Sequence, residues 1–295
     1  MSDDTTAYES LADAHGGEDR WAFGTGFDDP LAGVDTTVPP GVDPAALGLM
    51  CLALGDDALV MSQRLAGWCS NAPELEDDVA LANIALDLLG QARLLLTRAA
   101  QADPSLRPAE APAHIPDEDA LAYFRDPAAF RNVRLVELDD DGDFARCIAR
   151  LFLFSTWRLA ALVWLVDSPD PVLAAASAKA VTELTYHREY AAGWVVRLGD
   201  GTELSHQRMQ DALEWAWPCV NLLFGSDLSQ GNLYAEHSEF IGVLARVLAT
   251  ATLSEPPWEW AGSSAGARDG EHTEALTELI ADLQSVARAH PAATW

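Results

Sequence analysis

Between Pro73 and Gln101 the chain reads PELEDDVALANIALDLLGQARLLLTRAAQ, and this stretch limits the possible folds more than any other. Pro73 suits a first helical turn, and Glu74, Glu76, Asp77 and Asp78 sit where the positive end of a helix dipole favours anions. Beyond them Leu81, Ala82, Ala85, Leu86, Leu88, Leu89, Ala92 and Leu96 cover far more of the circumference than a one-sided stripe. Such a helix is expected to be buried on several sides. At about 100° per residue, Glu76, Asn83, Asp87 and Gln91 fall on one narrow line. That line is either the solvated face of the helix or a polar strip turned into the middle of a bundle, where carboxylates and amides build a metal site or its remnant.

The neighbouring segments supply partners for it. Asp43 reads as an N-cap with Pro44 behind it, opening a helix to about Ser70 in which Leu49, Leu52, Leu59, Val60, Leu65 and Trp68 recur at helical spacing. The break Asn71-Ala72-Pro73 is so short that the two helices must pack antiparallel. After Gln101 comes a proline-rich crossover, interrupted by one amphipathic piece from Asp117 to Arg125 and ending in Asp139-Asp140-Asp141-Gly142. A third helix, about Asp143 to Val166, contains LFLFSTWRLAALVWL and is also apolar almost all round. Ser168-Pro169-Asp170-Pro171 breaks it, and a fourth helix runs to about Leu198. Further helices are expected over about 203–224, 233–252 and 272–289. Two antiparallel pairs joined by one long crossover predict an all-α, ferritin-like four-helix bundle with additional C-terminal helices.

Residues 1–43 carry many acids against a single base, Arg20, without a sustained helical period, and read as an acidic, disordered extension to a helical domain over 44–295. Trp21, Phe23, Phe27 and Leu31 offer a second reading of it, as a docking peptide. Over the whole chain 46 acids oppose 18 bases, for a net charge of −28. That balance argues against nucleic acid or an anionic membrane as partner, and fits a high-salt cytoplasm or a basic partner. No secretory leader and no long uninterrupted apolar run is evident, so a cytoplasmic protein is expected. Cys51, Cys69, Cys147 and Cys219 form no Cys-x-x-Cys pair and read as small buried hydrophobes.

A ferritin-like di-metal centre takes a Glu from each of two helices and a Glu-x-x-His from each of the other two. The fourth helix offers Glu183 and His187, spaced four rather than three apart, in line with Lys179. The second offers Asn83, Asp87 and Gln91 but no His, and the third has no carboxylate between its ends. Counting from the turns sets Asp56 and Gln63 level with Asp87 and Asn83, and Ser155 and Thr156 opposite Glu183. The donor set is incomplete, so no competent di-iron centre and no catalytic residue is expected in this chain. Lys179 and Glu183 either pair on the surface or belong to an interior network of Asp56, Asn83, Asp87, Lys179, Glu183 and His187 in the place of a metal site. Sequence motifs for hydrolases and nucleotide binding are absent.

The strings LALGDDALVMSQRLAGWCSNAPELEDDVALANIALDLLGQAR, ELTYHREYAAGWVVRLGDGTELSHQRMQDAL and HTEALTELIADLQSVARAHPAATW resemble the C subunits of bacterial phenylacetyl-CoA epoxidases. The resemblance runs from Leu47 to Trp295 and omits the acidic extension. It implies a ferritin-like, non-catalytic structural subunit in a hetero-oligomer. Its implied partners are a homologous A subunit holding the di-iron centre and phenylacetyl-CoA, a small B subunit and an NADPH-dependent reductase. The alternative is an independent ferritin-like oxidase or storage protein, which would need a His on the second helix and a carboxylate within the third.

Overall fold

The computed structural model describes residues 31–220, 222–224, 233–258 and 267–293. Within them lie eight α-helices and no strand: α1 (Pro44–Ala66), α2 (Leu75–Ala102), α3 (Asp117–Tyr123), α4 (Phe144–Leu165), α5 (Pro171–Gly199), α6 (Glu203–Val220), α7 (Leu233–Thr250) and α8 (Glu274–Ala289). Residues from Gly33 onward form one compact unit, in which Val38 and Val42 pack against the helical core. Most of the acidic extension, with Trp21, Phe23 and Phe27, lies outside the described residues.

The capping chemistry places the helix starts. The Asp43 side chain accepts from the amides of Ala45 and Ala46, Asp143 from those of Ala145 and Arg146, and Asp170 from that of Leu173, each satisfying donors that a first turn leaves open. Asp141 and Gly142 take left-handed backbone angles, φ 52° and 71°, and so turn the chain sharply into α4. The first helix stops at Ala66, four residues short of the expected Ser70.

α1 packs along α2 and α4 along α5, and the two pairs together make the ferritin-like bundle. α6 and α7 cover α4 and α5 from outside, while α8 lies over α3 and α1. Gly48 and Gly55, two turns apart on α1, let α2 come close. A methyl group at Gly48 would sit 2.9 Å from Cβ of Asp103, and one at Gly55 would sit 2.9 Å from a methyl of Leu96.

By length and composition α1, α2 and α4 could each cross a membrane, yet the apolar windows of α1 and α4 are 83% and 78% buried inside the protein. The window of α2 is only 44% buried. Of the four cysteines, Cys51, Cys147 and Cys219 are buried as expected, whereas Cys69 lies beyond the end of α1 and is exposed. Burial pushes the thiols of Cys51 and Cys147 up to about 12, so neither is a nucleophile at neutral pH.

Candidate functional site

The centre of the bundle is charged, and its principal cation is Arg158 of α4. Its side chain is fully buried. Nε donates to Oε1 of Gln91 on α2 at 3.2 Å, and Nη1 donates to the Leu54 carbonyl of α1 at 3.1 Å. Gln91 in turn donates to Oε2 of Glu183 on α5 at 3.0 Å, and the other oxygen of Glu183 takes a close hydrogen bond from Lys179. On the α1 side Asp57 lies 4.0 Å from Arg158 and 2.9 Å from Arg268, which also donates to the Arg131 carbonyl. All four bundle helices thus meet in one hydrogen-bonded group. Burial pulls the Arg158 guanidinium down to about 10, against the opposing pull of Asp57, with Arg268 adding to the fall and Glu183 opposing it. It still carries its charge at neutral pH.

Below this group α2 and α5 are joined by further polar rungs. Nε2 of His187 lies 3.0 Å from Oδ2 of Asp87. Farther along, Oδ1 of Asp77 accepts from the Tyr190 hydroxyl and the Trp194 indole, both at 2.9 Å. Burial, with the hydrogen bond to Asp77 next, raises the Tyr190 phenol well above its ordinary range.

The single network expected from sequence therefore resolves into separate groups. Lys179 and Glu183 do pair, and His187 and Asp87 pair one turn away. Asn83, expected beside them, is exposed and stands apart. The reason is helical drift: each four-residue step advances about 40°, so a line that faces solvent at Asn83 reaches the interior by Gln91. Asp56 is also elsewhere. It is fully buried, but both its oxygens are held by Arg125 and one also accepts from the Arg131 amide at 2.9 Å. Its neighbour Asp57 is the acid that faces Arg158, one residue from the expected register. Ser155 and Thr156 do not reach across to Glu183, because their hydroxyls donate back to the Leu151 and Phe152 carbonyls of their own helix at 2.7 Å.

Of the two readings of Lys179 neither holds in full: its side chain pairs with Glu183 but keeps 28% of its surface exposed, and the fully buried positive charge is Arg158. The signal for it was present: an Arg inside LFLFSTWRLAALVWL is stable only if paired. The same logic applies to the acids of GDDALV. Asp56 and Asp57 receive the crossover, Asp57 accepting from the Val133 amide at 2.7 Å. Other buried ion pairs hold the remaining ends: Arg150 donates to Asp140 at 2.6 Å, and Arg98 grips Asp170 with two nitrogens. Glu137 accepts from the Thr273 amide and faces Nδ1 of His272, both at 2.7 Å, which fixes α8 to the crossover.

These side chains do not fit a di-metal centre. Two metal cations need several free carboxylates and imidazoles in one cavity. Here a guanidinium and an ammonium stand in that place and both oxygens of Glu183 are engaged. Among the described residues no three His, Cys, Asp or Glu side chains converge as metal ligands.

Comparison with known proteins places this architecture. The family described as "Phenylacetic acid catabolic protein" matches residues 34–295. The chain belongs to this family. Within the phenylacetic acid catabolic proteins it is similar to the C subunit of 1,2-phenylacetyl-CoA epoxidase from Escherichia coli strain K12. The two are 42% identical over 255 residues, which spans 83% of this chain and 97% of the relative. The match leaves most of the acidic extension outside the family region, which starts at residue 34.

The outer face of α2 is the second feature of this family member. Leu75, Val79, Ala82, Leu86 and Leu89 follow one another at steps of four, three, four and three residues, the spacing of a helix seam. Among the described residues no helix covers this seam: Leu75 and Leu86 are 73% and 64% exposed. Tyr186 on α5 is exposed as well.

Proposed function

We propose that this chain is the C-type component of a multicomponent phenylacetyl-CoA epoxidase, a structural partner that performs no ring oxidation itself and supports a homologous A subunit in which the di-iron centre resides. The observation that carries this reading is the buried guanidinium of Arg158 at the bundle centre. A ferritin-like bundle with a cation in that place is stabilised by its ion network instead of by metal, and so keeps the fold without the chemistry. The 42% identity to the epoxidase component of Escherichia coli supports the choice of complex. The exposed α2 seam supports assembly, since a contiguous apolar patch of this kind marks a protein interface. The same reading makes the small B subunit and a reductase further components, with the complex in the cytoplasm and neither nucleic acid nor membrane as partner.

Co-expression with the A subunit tests it. The expected result is a stable complex whose iron and ring-oxidising activity follow the A subunit, while this chain alone holds less than stoichiometric iron. Two tightly held irons in the isolated chain, or a monomer indifferent to the A subunit at micromolar concentration, would overturn the proposal.

A further inference from the structure

α3, the end of the segment before it, and the end of α8 with the residues that follow it line a half-open surface pocket of about 350 Å³. Ile115, Phe124, Leu283 and Val286 give it apolar walls, and Asp119, Tyr123 and His290 also line it. The side chains of these three have no hydrogen bond or ion pair among the described residues. Among the described residues Asp119 differs in this from acids deeper in the fold. The buried acids Asp56, Asp57, Asp140 and Asp170 are each held by an Arg. Arg93, the arginine that acts on Asp119, makes its ion pair with the adjacent Glu118 at 3.4 Å instead. Burial raises the Asp119 carboxyl and Glu118 adds to the rise, with Arg93 opposing them, as expected for a half-buried acid that no cation contacts directly.

The lining selects among ligands. The carboxylate of Asp119 disfavours an anion. A hard metal ion would give up its hydration shell for one carboxylate and apolar walls, which cannot replace it. An alkyl chain ending in an ammonium group meets both halves of the site: a carboxylate and aromatic rings attract the cation, and Leu283 and Val286 cover the chain. A neutral His290 ring can accept one of its N–H groups.

We propose that this pocket binds an organic cation of the alkylammonium class, either a free amine or a lysine side chain of another protein. Asp119 is the counter-ion, and Tyr123 and Phe124 supply ring faces. The chain itself has one lysine, Lys179, which is committed to Glu183. The cation therefore comes from outside.

Titration of the full chain with n-hexylammonium, followed by calorimetry or amide NMR, tests the assignment. About 0.5 M salt screens the diffuse attraction of an acidic protein for any cation. Saturable binding is expected, weakened about tenfold or more by Asp119→Asn and several-fold by Tyr123→Leu. Glu278→Gln, which removes a charge from α8 away from the pocket, leaves it unchanged. Hexanoate, with the same chain and the opposite charge, is not expected to bind. A lysine-bearing peptide titrated in parallel separates the sources: tighter binding than hexylammonium assigns the site to a partner's side chain, weaker binding to a free amine. Equal affinity in Asp119→Asn, equal binding of hexanoate, or no saturable binding of either amine would each overturn the proposal. Circular dichroism of the three variants confirms that they are folded.

Discussion

α2 and α4 read alike as sequence, each apolar over nearly its whole circumference, but they meet opposite fates. α4 packs against α5, α6 and α7 and against the end of the crossover, and 78% of its apolar window is buried. α2 packs on α1, α5 and the small α3, and 44% is buried. The inside and the outside of the protein are inverted accordingly: a guanidinium sits at the centre of the fold and a leucine seam lies on its surface. Hydrophobicity in a helix says that its surface will be covered. It does not say whether the cover comes from the same chain.

The sharpest way to break this comparison is Arg158→Met, which removes the central cation and leaves acids and Gln91 without it. Loss of one partner from a buried ion group costs about 3–5 kcal/mol. A urea denaturation curve checks this, and a loss under about 1 kcal/mol would mean that the central charge is not a structural requirement.

Glu137→Gln probes a second interior group and is expected to cost about 1–3 kcal/mol. Burial pushes the Glu137 carboxyl up, but hydrogen bonds from His272 and Thr273 and the charge of His272 together leave it lowered. A carboxyl lowered by folding contributes stability that is fully present above its unfolded value, roughly 4.3, and is lost as the pH falls through its folded value. The wild-type stability curve should therefore fall more steeply below about pH 4 than that of Glu137→Gln. Parallel acid limbs would remove Glu137 from the account.

The outer face of α2 calls for the opposite result. Leu86→Glu leaves the isolated chain within about 0.5 kcal/mol of wild type, because the side chain already meets water. Binding of the A subunit should weaken about tenfold or more. Sedimentation of the mixture reads the second effect, and unchanged association would move the interface off α2.

The smallest effect is expected at Lys179→Met. Lys179 and Glu183 keep part of their surfaces in water, with side-chain exposures of 28% and 15%, so their pairing is screened. The loss should stay within about 1 kcal/mol. A loss as large as that of Arg158→Met would mean that Lys179 shares the interior role.

The bundle was legible in the chain because its signals are local. Asp43-Pro44, Asp143 and Asp170-Pro171 cap their helices within three residues, and the breaks at 71–73 and 168–171 are too short for any arrangement but antiparallel pairs. The candidate site was legible only in part. Glu183 with Lys179 is an i,i+4 contact that spacing alone reveals. The pairing of His187 with Asp87 needed two helices at the right level, and it too was within reach of counting from a turn. The same counting missed Asp57 by one residue, and one residue on a helix is about 100° of direction. Arg125 comes from the crossover, and Arg268 and His272 come from the segment before α8, where no period constrains position.

The sequence by itself determined the all-α class, most of the helix starts and the antiparallel pairs, since each depends on neighbours a few residues apart. Only the tertiary structure decided which acid meets which arginine, that Arg158 and not Lys179 holds the centre, and that α2 stays uncovered. Those outcomes depend on the rotation of one helix against another, which is set by the packing of the whole core, including the close approach at Gly48 and Gly55.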